Sequence, residues 1–168
     1  QFRHAGVVGP NQRLGYKITG MYGTANDWEM DPDDEIDALQ LAGDIIPRDN
    51  DFEKWNINGT VEYRLGDRGS LIATGGTAKL SATVLSGIGT LQAIGFGYSY
   101  GQLRLQYDRF FAQAYFNKNN AGDSFVYDQD FDGSGVPDPV VDNGIVYSFQ
   151  AQYDADLTDR TDLIAGVD

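Results

Sequence analysis

KWNINGTVEYRL, residues 54–65, alternates strictly. Trp55, Ile57, Gly59, Val61, Tyr63 and Leu65 fall on one side of an extended strand, and Lys54, Asn56, Asn58, Thr60, Glu62 and Arg64 on the other. The apolar side carries aromatics near both ends. From Trp55 to Tyr63, at ~3.3 Å per residue and a tilt of roughly 40°, it spans about 20 Å along a membrane normal. Two environments suit such a strand: the lipid-facing wall of a transmembrane barrel with two aromatic girdles, or a soluble sheet with one wet face.

The neighbouring segments repeat the pattern. Leu14, Tyr16, Ile18, Gly20 and Tyr22 alternate with small and polar residues, and residues 1–8 form a shorter strand before the turn at Gly9-Pro10-Asn11. Strand 54–65 turns at 66–69 into a weaker strand from Ser70 to about Leu80, and a loop is expected over 81–89. From Thr90 a long strand carries Phe96, Tyr98 and Tyr100 on one parity and Leu103, Leu105 and Tyr107 on the other, which predicts a β-bulge at Gly101. After a two-residue turn at Asp108-Arg109 the alternation resumes over 110–117, then over Tyr147, Phe149, Ala151 and Tyr153, and in a last strand with Leu163, Ala165 and Val167.

Connection lengths decide between the two environments. In order they are short (9–13), long (24–52), short (66–69), medium (81–89), short (108–109), long (118–143) and short (156–160), so every longer loop falls on one side. Short turns at one rim and long loops at the other are the habit of outer-membrane barrels, whose long loops are extracellular, and a soluble sandwich has no reason for it. The expected fold is therefore all-β, an antiparallel up-and-down transmembrane barrel segment of about eight strands. A short helix is predicted inside the first long loop: Asp31 as N-cap, Pro32 at the first helical position, acids at 33–35 over the positive dipole end, and a stop at Gly43.

Composition agrees. At 168 residues and 41% hydrophobic content the chain is neither disordered nor obviously multidomain, and 21 Gly with 10 Tyr and 9 Phe favour strands and turns. No run reaches the ~18 apolar residues of a transmembrane helix, so a membrane role requires a barrel. The absence of cysteine excludes disulfides, thiolate metal sites and a cysteine nucleophile. A net charge of −13 argues against a nucleic-acid partner. Eleven of the 25 acids lie between Asp27 and Glu53 and six more between Asp123 and Asp142, so the acid is concentrated in the long loops.

Several phrases resemble the barrel of TonB-dependent outer-membrane receptors: Gly15-Tyr-Lys-Ile-Thr-Gly, Asp27-Trp28, Val61-Glu-Tyr-Arg-Leu, Tyr98-Ser-Tyr-Gly-Gln-Leu-Arg-Leu-Gln-Tyr, Phe110-Phe-Ala-Gln-Ala-Tyr-Phe-Asn, and Leu157-Thr-Asp-Arg-Thr-Asp-Leu-Ile-Ala-Gly-Val-Asp. The similarity runs over nearly the whole chain as strand and turn phrases. It implies a 22-stranded barrel around an N-terminal plug, and uptake of a bulky nutrient such as a metal chelate, vitamin or glycan. With about eight strands and neither plug domain nor TonB-contacting segment, residues 1–168 are expected to be part of one outer-membrane barrel domain, roughly a third of it. The implied partners are outer-membrane lipid, TonB acting through a plug absent from this chain, and an unidentified small-molecule or glycan ligand. Two other readings fit the strand count: a complete small eight-stranded barrel with a structural or adhesive role, and a soluble secreted glycan-binding β-domain.

One segment has metal-ligand spacing. Asp130, Asp132 and Ser134 supply oxygens at positions 1, 3 and 5, Gly135 stands at position 6, the Val136 carbonyl at 7 and Asp138 at 9, which is the opening of an EF-hand-type calcium loop. Val141 occupies the position of the usual bidentate Glu, and Asp128 or Asp142 are the available substitutes. The alternative is a solvated acidic loop tip. No cofactor is required by any other feature. His4 is the only histidine and has no triad context, and no paired carboxylates sit in an apolar setting, so an enzyme is not expected.

Overall fold

Extended backbone follows the alternation almost everywhere it occurs. The computed structural model describes residues 1–27, 31–34, 38, 49–87, 89–127 and 133–168. They form β1 (Phe2–Val8), β2 (Leu14–Asn26), β3 (Asp51–Arg64), β4 (Gly69–Ser86), β5 (Gly89–Tyr107), β6 (Phe110–Asn120), the two-residue β7 (Phe125–Val126), β8 (Ile145–Thr158) and β9 (Thr161–Val167). All pair antiparallel in one sheet of order β1-β2-β3-β4-β5-β6-β8-β9, with β7 beside the far end of β5. Each long strand thus neighbours the next in sequence, the meander that the connection lengths imply. The sheet is not closed: β1 and β9 are its edges.

Directly opposed residues of antiparallel strands point the same way, so the register can be followed across the sheet. Trp55, Ile57, Val61 and Tyr63 share a face with Tyr22, Ile18, Tyr16 and Leu14 of β2 and with Phe2 and Val8 of β1. Going the other way, that face continues through Leu71 and Ala73, Leu103, Leu105 and Tyr107, then Phe110, Ala112, Ala114 and Phe116. It ends on Tyr147, Phe149, Ala151 and Tyr153 of β8 and on Leu163, Ala165 and Val167 of β9. The opposite face carries Lys17, Thr19, Asn56, Asn58, Thr60, Glu62, Gln102, Arg104, Gln113, Asn117 and Gln150.

Two expectations about β4 and β5 need correction. There is no bulge at Gly101, which pairs in unbroken register with Gly75 and Phe116. Phe96, Tyr98 and Tyr100 lie on the polar face instead, and two of them find partners there: Tyr98 donates to Asn117 Oδ1 at 2.8 Å and Tyr100 to Asn58 Oδ1 at 3.1 Å. A phenol has a polar end as well as an apolar body, so parity counted from tyrosines misleads. The irregularity lies between Leu80 and Ala82, opposite Gly95, which has φ 67°. Nor is 81–89 a loop, because β4 and β5 continue as a hairpin projecting past the rim. Of the helix predicted from Asp31 only residues 31–34 and 38 are described, and no helix is defined among them. Asp31's carboxylate accepts the Asp33 N–H at 2.9 Å, and the Ala38 N–H reaches the Asp34 carbonyl at 2.8 Å. Its continuation to residue 42 lies outside the described residues.

Four glycines on the sheet are covered by aromatic rings directly across from them. A Cβ at Gly20 would meet Phe2 at 2.2 Å, one at Gly6 would meet Tyr16 at 2.9 Å, and one at Gly101 would meet Phe116 at 2.5 Å. On the polar face Tyr100 lies over Gly76 in the same way. A ring laid flat over an opposed glycine shields backbone that no side chain protects and helps to fix the register.

Candidate functional site

The two faces of the sheet differ in chemistry. Among the described residues the buried hydrophobic ones are only Ala82, Ala93, Ala121 and Val126, all at the projecting hairpin and the connection packed on it. The apolar face is open: Ile57 and Val61 are each 45% exposed, Phe149 53% and Tyr147 73%. Tyr22 stands beside Trp55 on its long-loop side and Tyr107, Phe110 and Tyr153 form one row on its short-turn side, with Phe116, Tyr147 and Phe149 among aliphatic and small residues between them. Thr77 and Ser99, hydroxyls on this apolar face, bond each other at 2.9 Å. His4 also lies here, its ring against Tyr16 at a centroid distance of 5.4 Å.

The polar face is knit by amides and hydroxyls. Gln102 donates to Gln113 at 3.1 Å, and Gln113 donates in turn to Gln150 at 3.0 Å, a ladder across β5, β6 and β8. Thr74 and Thr60 stand 3.4 Å apart, and Asn58 bonds Asn56 at 3.2 Å. This surface is suited to water and to hydrogen-bonding solutes, whereas the other face offers mainly dispersion contacts.

At the long-loop rim the connections are anchored by Gln92, a buried polar residue with no sequence signal of its own. Its side-chain oxygen accepts from the Asp49 N–H at 3.1 Å and the Tyr127 hydroxyl at 2.6 Å, while its Nε2 donates to the Asp49 carbonyl at 3.3 Å. Both acidic connections are thereby tied to the β4–β5 hairpin. Ser124, fully buried, accepts the Ile94 N–H at 3.0 Å, and the Val140 N–H reaches the Ser124 carbonyl at 2.8 Å.

Of the candidate calcium ligands, Asp128, Asp130 and Asp132 lie outside the described residues. Ser134 Oγ accepts the Val136 N–H at 3.2 Å and lies 3.4 Å from the Val136 carbonyl, so these two oxygens do come together. Gly135 has φ 77°, the left-handed turn that position 6 of such a loop requires. Asp142 is held at the end of β6, its carboxylate 3.5 Å from Asn119 Nδ2 and its carbonyl accepting the Ala121 N–H at 3.0 Å. Among the described residues no three carboxylates or imidazoles converge as a metal-holding group.

The short turns are stapled to one another. Arg68 Nε bonds Asp108 at 2.8 and 3.0 Å, with a further contact through Nη2, and its guanidinium lies 4.8 Å from the centroid of the Tyr107 ring. Arg109 pairs with Asp156 on the next turn. The Arg68 hydrogen bond holds the Asp108 carboxyl below its ordinary range, and the carboxylates raise both guanidinium values. The dipeptide Asp108-Arg109 reads as a turn in sequence, but its partners come from other turns and carry no local signal. Among the described residues no helix is long and apolar enough to cross a membrane, which leaves crossing by strands open. Comparison of the chain with protein-family models, with characterised proteins and with solved structures finds no match.

Proposed function

We propose that this chain forms part of the wall of an outer-membrane β-barrel of the TonB-dependent receptor type, through which a bulky nutrient is taken up. One observation carries the reading: the register gathers most of the large apolar side chains on a single uncovered face, with aromatic pairs or rows at both ends, and puts most of the amides on the other. In water that face would need a second layer to cover it; in a bilayer, lipid covers it and the aromatic rows sit at the two interfaces. The short turns then face the periplasm and the acidic connections 27–50 and 121–144 face outward, around the mouth where a ligand first arrives. Unpaired edges at β1 and β9 favour membership of a larger ring over closure of these strands on themselves. The polar face lines the lumen, and the protein acts as a conduit and not as an enzyme.

Residues 1–168 contain no cysteine, so single cysteines report on each position once any cysteine elsewhere in the intact protein is replaced by serine. In the intact protein in outer-membrane vesicles, Thr60→Cys and Gln150→Cys should react with a membrane-impermeant maleimide. Val61→Cys and Phe149→Cys should stay unlabelled until the membrane is dissolved and the protein denatured. Equal labelling of the two sets would reject the membrane assignment.

A further inference from the structure

We infer that the short-turn rim of β5, β6 and β8 holds a specific phospholipid, its zwitterionic phosphate–ammonium headgroup between Arg109 and Asp108. The inference rests on the membrane reading above and adds a binding site to it. A cavity of about 490 Å³ opens on the apolar side of this rim, lined by Arg68, Tyr107, Asp108, Arg109, Phe110 and Tyr153. The three rings form one row, since Tyr107 opposes Phe110 and Phe110 opposes Tyr153. Aromatic rows of this kind sit at headgroup depth, with the apolar body toward the chains and the polar end toward water.

The charges in the cavity are arranged for both ends of such a headgroup. Among the described residues, Arg109 commits only Nη2, to Asp156, so Nε and Nη1 are left to donate to a phosphate oxygen. Asp108 is held ionised by Arg68, and a carboxylate in that state accepts from a primary ammonium. The Arg68 guanidinium, seated over Tyr107, closes the cavity on its other side. A purely anionic headgroup would meet the Asp108 carboxylate, and a quaternary ammonium has no N–H to give it. The match is to an ethanolamine-type headgroup.

Room for the tail lies further along the same strands. A second cavity, about 670 Å³ and almost wholly apolar, is lined by Gly101, Leu103, Ala114, Phe116, Tyr147 and Phe149 among others. From the Tyr107 row to the Gly101 row is six residues, about 15 Å along the normal at ~3.3 Å per residue and a tilt of roughly 40°. One leaflet's share of a hydrocarbon core of ~30 Å is the same length. A lipid anchored at Arg109 therefore lays an acyl chain past the small side chains of Ala112 and Ala114 into the second cavity.

The intact protein, purified in mild detergent, is offered equimolar dioleoyl phosphatidylethanolamine, phosphatidylcholine and phosphatidylglycerol, and retained lipid is counted by native mass spectrometry. One phosphatidylethanolamine per chain should be kept in at least about five-fold preference to the others. Arg109→Gln and Asp108→Asn should each reduce that retention about five-fold or more. Free phosphoethanolamine at millimolar concentration should not displace the lipid; displacement would identify the site as one for a soluble phosphate compound. Equal retention of all three lipids by the unmodified protein overturns the proposal even if the variants fail to fold, as does unchanged retention in folded variants. Quenching of Trp55 by lipids brominated on the acyl chain, read as the difference between the protein and Trp55→Phe, reports separately on the membrane reading. If Trp55 is quenched but lipid retention is unselective, only the site fails; if Trp55 is not quenched, the membrane assignment itself fails.

Discussion

At the scale of single residues, the backbone at Gly6, Gly20, Gly76 and Gly101 is covered by an opposed ring. At Gly101 the room for a Cβ is taken by Phe116, and both residues lie in the middle register of β5 and β6. Gly101→Val forces that ring off its seat, and overpacking of this kind costs typically 1–3 kcal/mol. Urea unfolding of the protein in lipid vesicles should show a loss of about that size, and Phe116→Leu should remove most of the penalty by opening the space. A midpoint unchanged by Gly101→Val would mean that the ring does not need this position. A second residue-scale expectation concerns pH. The Asp108 carboxyl is held below its ordinary value in the folded protein, so its pairing with Arg68 stabilises fully above the ordinary carboxylate range and is lost as pH falls through the lowered folded value. Both side chains are exposed, so the effect is small. The stability difference between the protein and Asp108→Asn should be flat at neutral pH and shrink only in acid; a difference that grows in acid would contradict the pairing.

At the scale of elements, the β4–β5 hairpin and the two acidic connections behave as one unit held by Gln92. Removing a buried amide takes away the acceptor of the Asp49 N–H and a partner of the Tyr127 hydroxyl, and a group left wholly unpaired costs about 1–3 kcal/mol. Gln92→Leu should therefore speed amide exchange and proteolysis within 121–127 while leaving exchange in β2 and β3 unchanged. Uniform acceleration over the sheet would show that the hairpin is not a separate unit. The segment from Asp130 to Asp142 belongs to the same scale. Its left-handed Gly135 and the adjacent Ser134 and Val136 oxygens suit the middle of a calcium loop, and without a Glu at position 12 the affinity expected is weak, about 10⁻⁴ to 10⁻³ M. Calorimetry of the intact protein should show calcium uptake that Asp132→Ala abolishes; identical titrations would leave this segment as a solvated acidic tip.

At the scale of the molecule, the sheet has two requirements that the described residues do not meet. Its apolar face needs a covering, and the backbone groups of β1 and β9 need partners. Expressed alone in detergent, residues 1–168 should form associated species and not a compact monomer. Heat-modifiable migration as a single compact monomer would instead favour closure of β1 on β9 as a small barrel.

Strand identity and the two faces were legible in the sequence because alternation is a local property. Trp55, Ile57, Val61 and Tyr63 must share a side whatever they pair with, and loop lengths follow from where alternation stops. Tyrosine parity in β5 was misread because a phenol serves either face, and only its partners Asn58 and Asn117, from other strands, decide which. The irregularity opposite Gly95 depends on how many residues two strands place against each other, a count that neither strand contains alone. Gln92 at the loops and the Arg68–Asp108 and Arg109–Asp156 staples at the turns likewise bring together residues 35 to 47 positions apart. The sequence by itself determined an antiparallel meander with one apolar and one polar face, because the period of side chains along a strand is fixed by backbone geometry. Only the tertiary structure decided the register, the projecting hairpin and the rim contacts, because pairing between distant segments is chosen by the whole sheet at once.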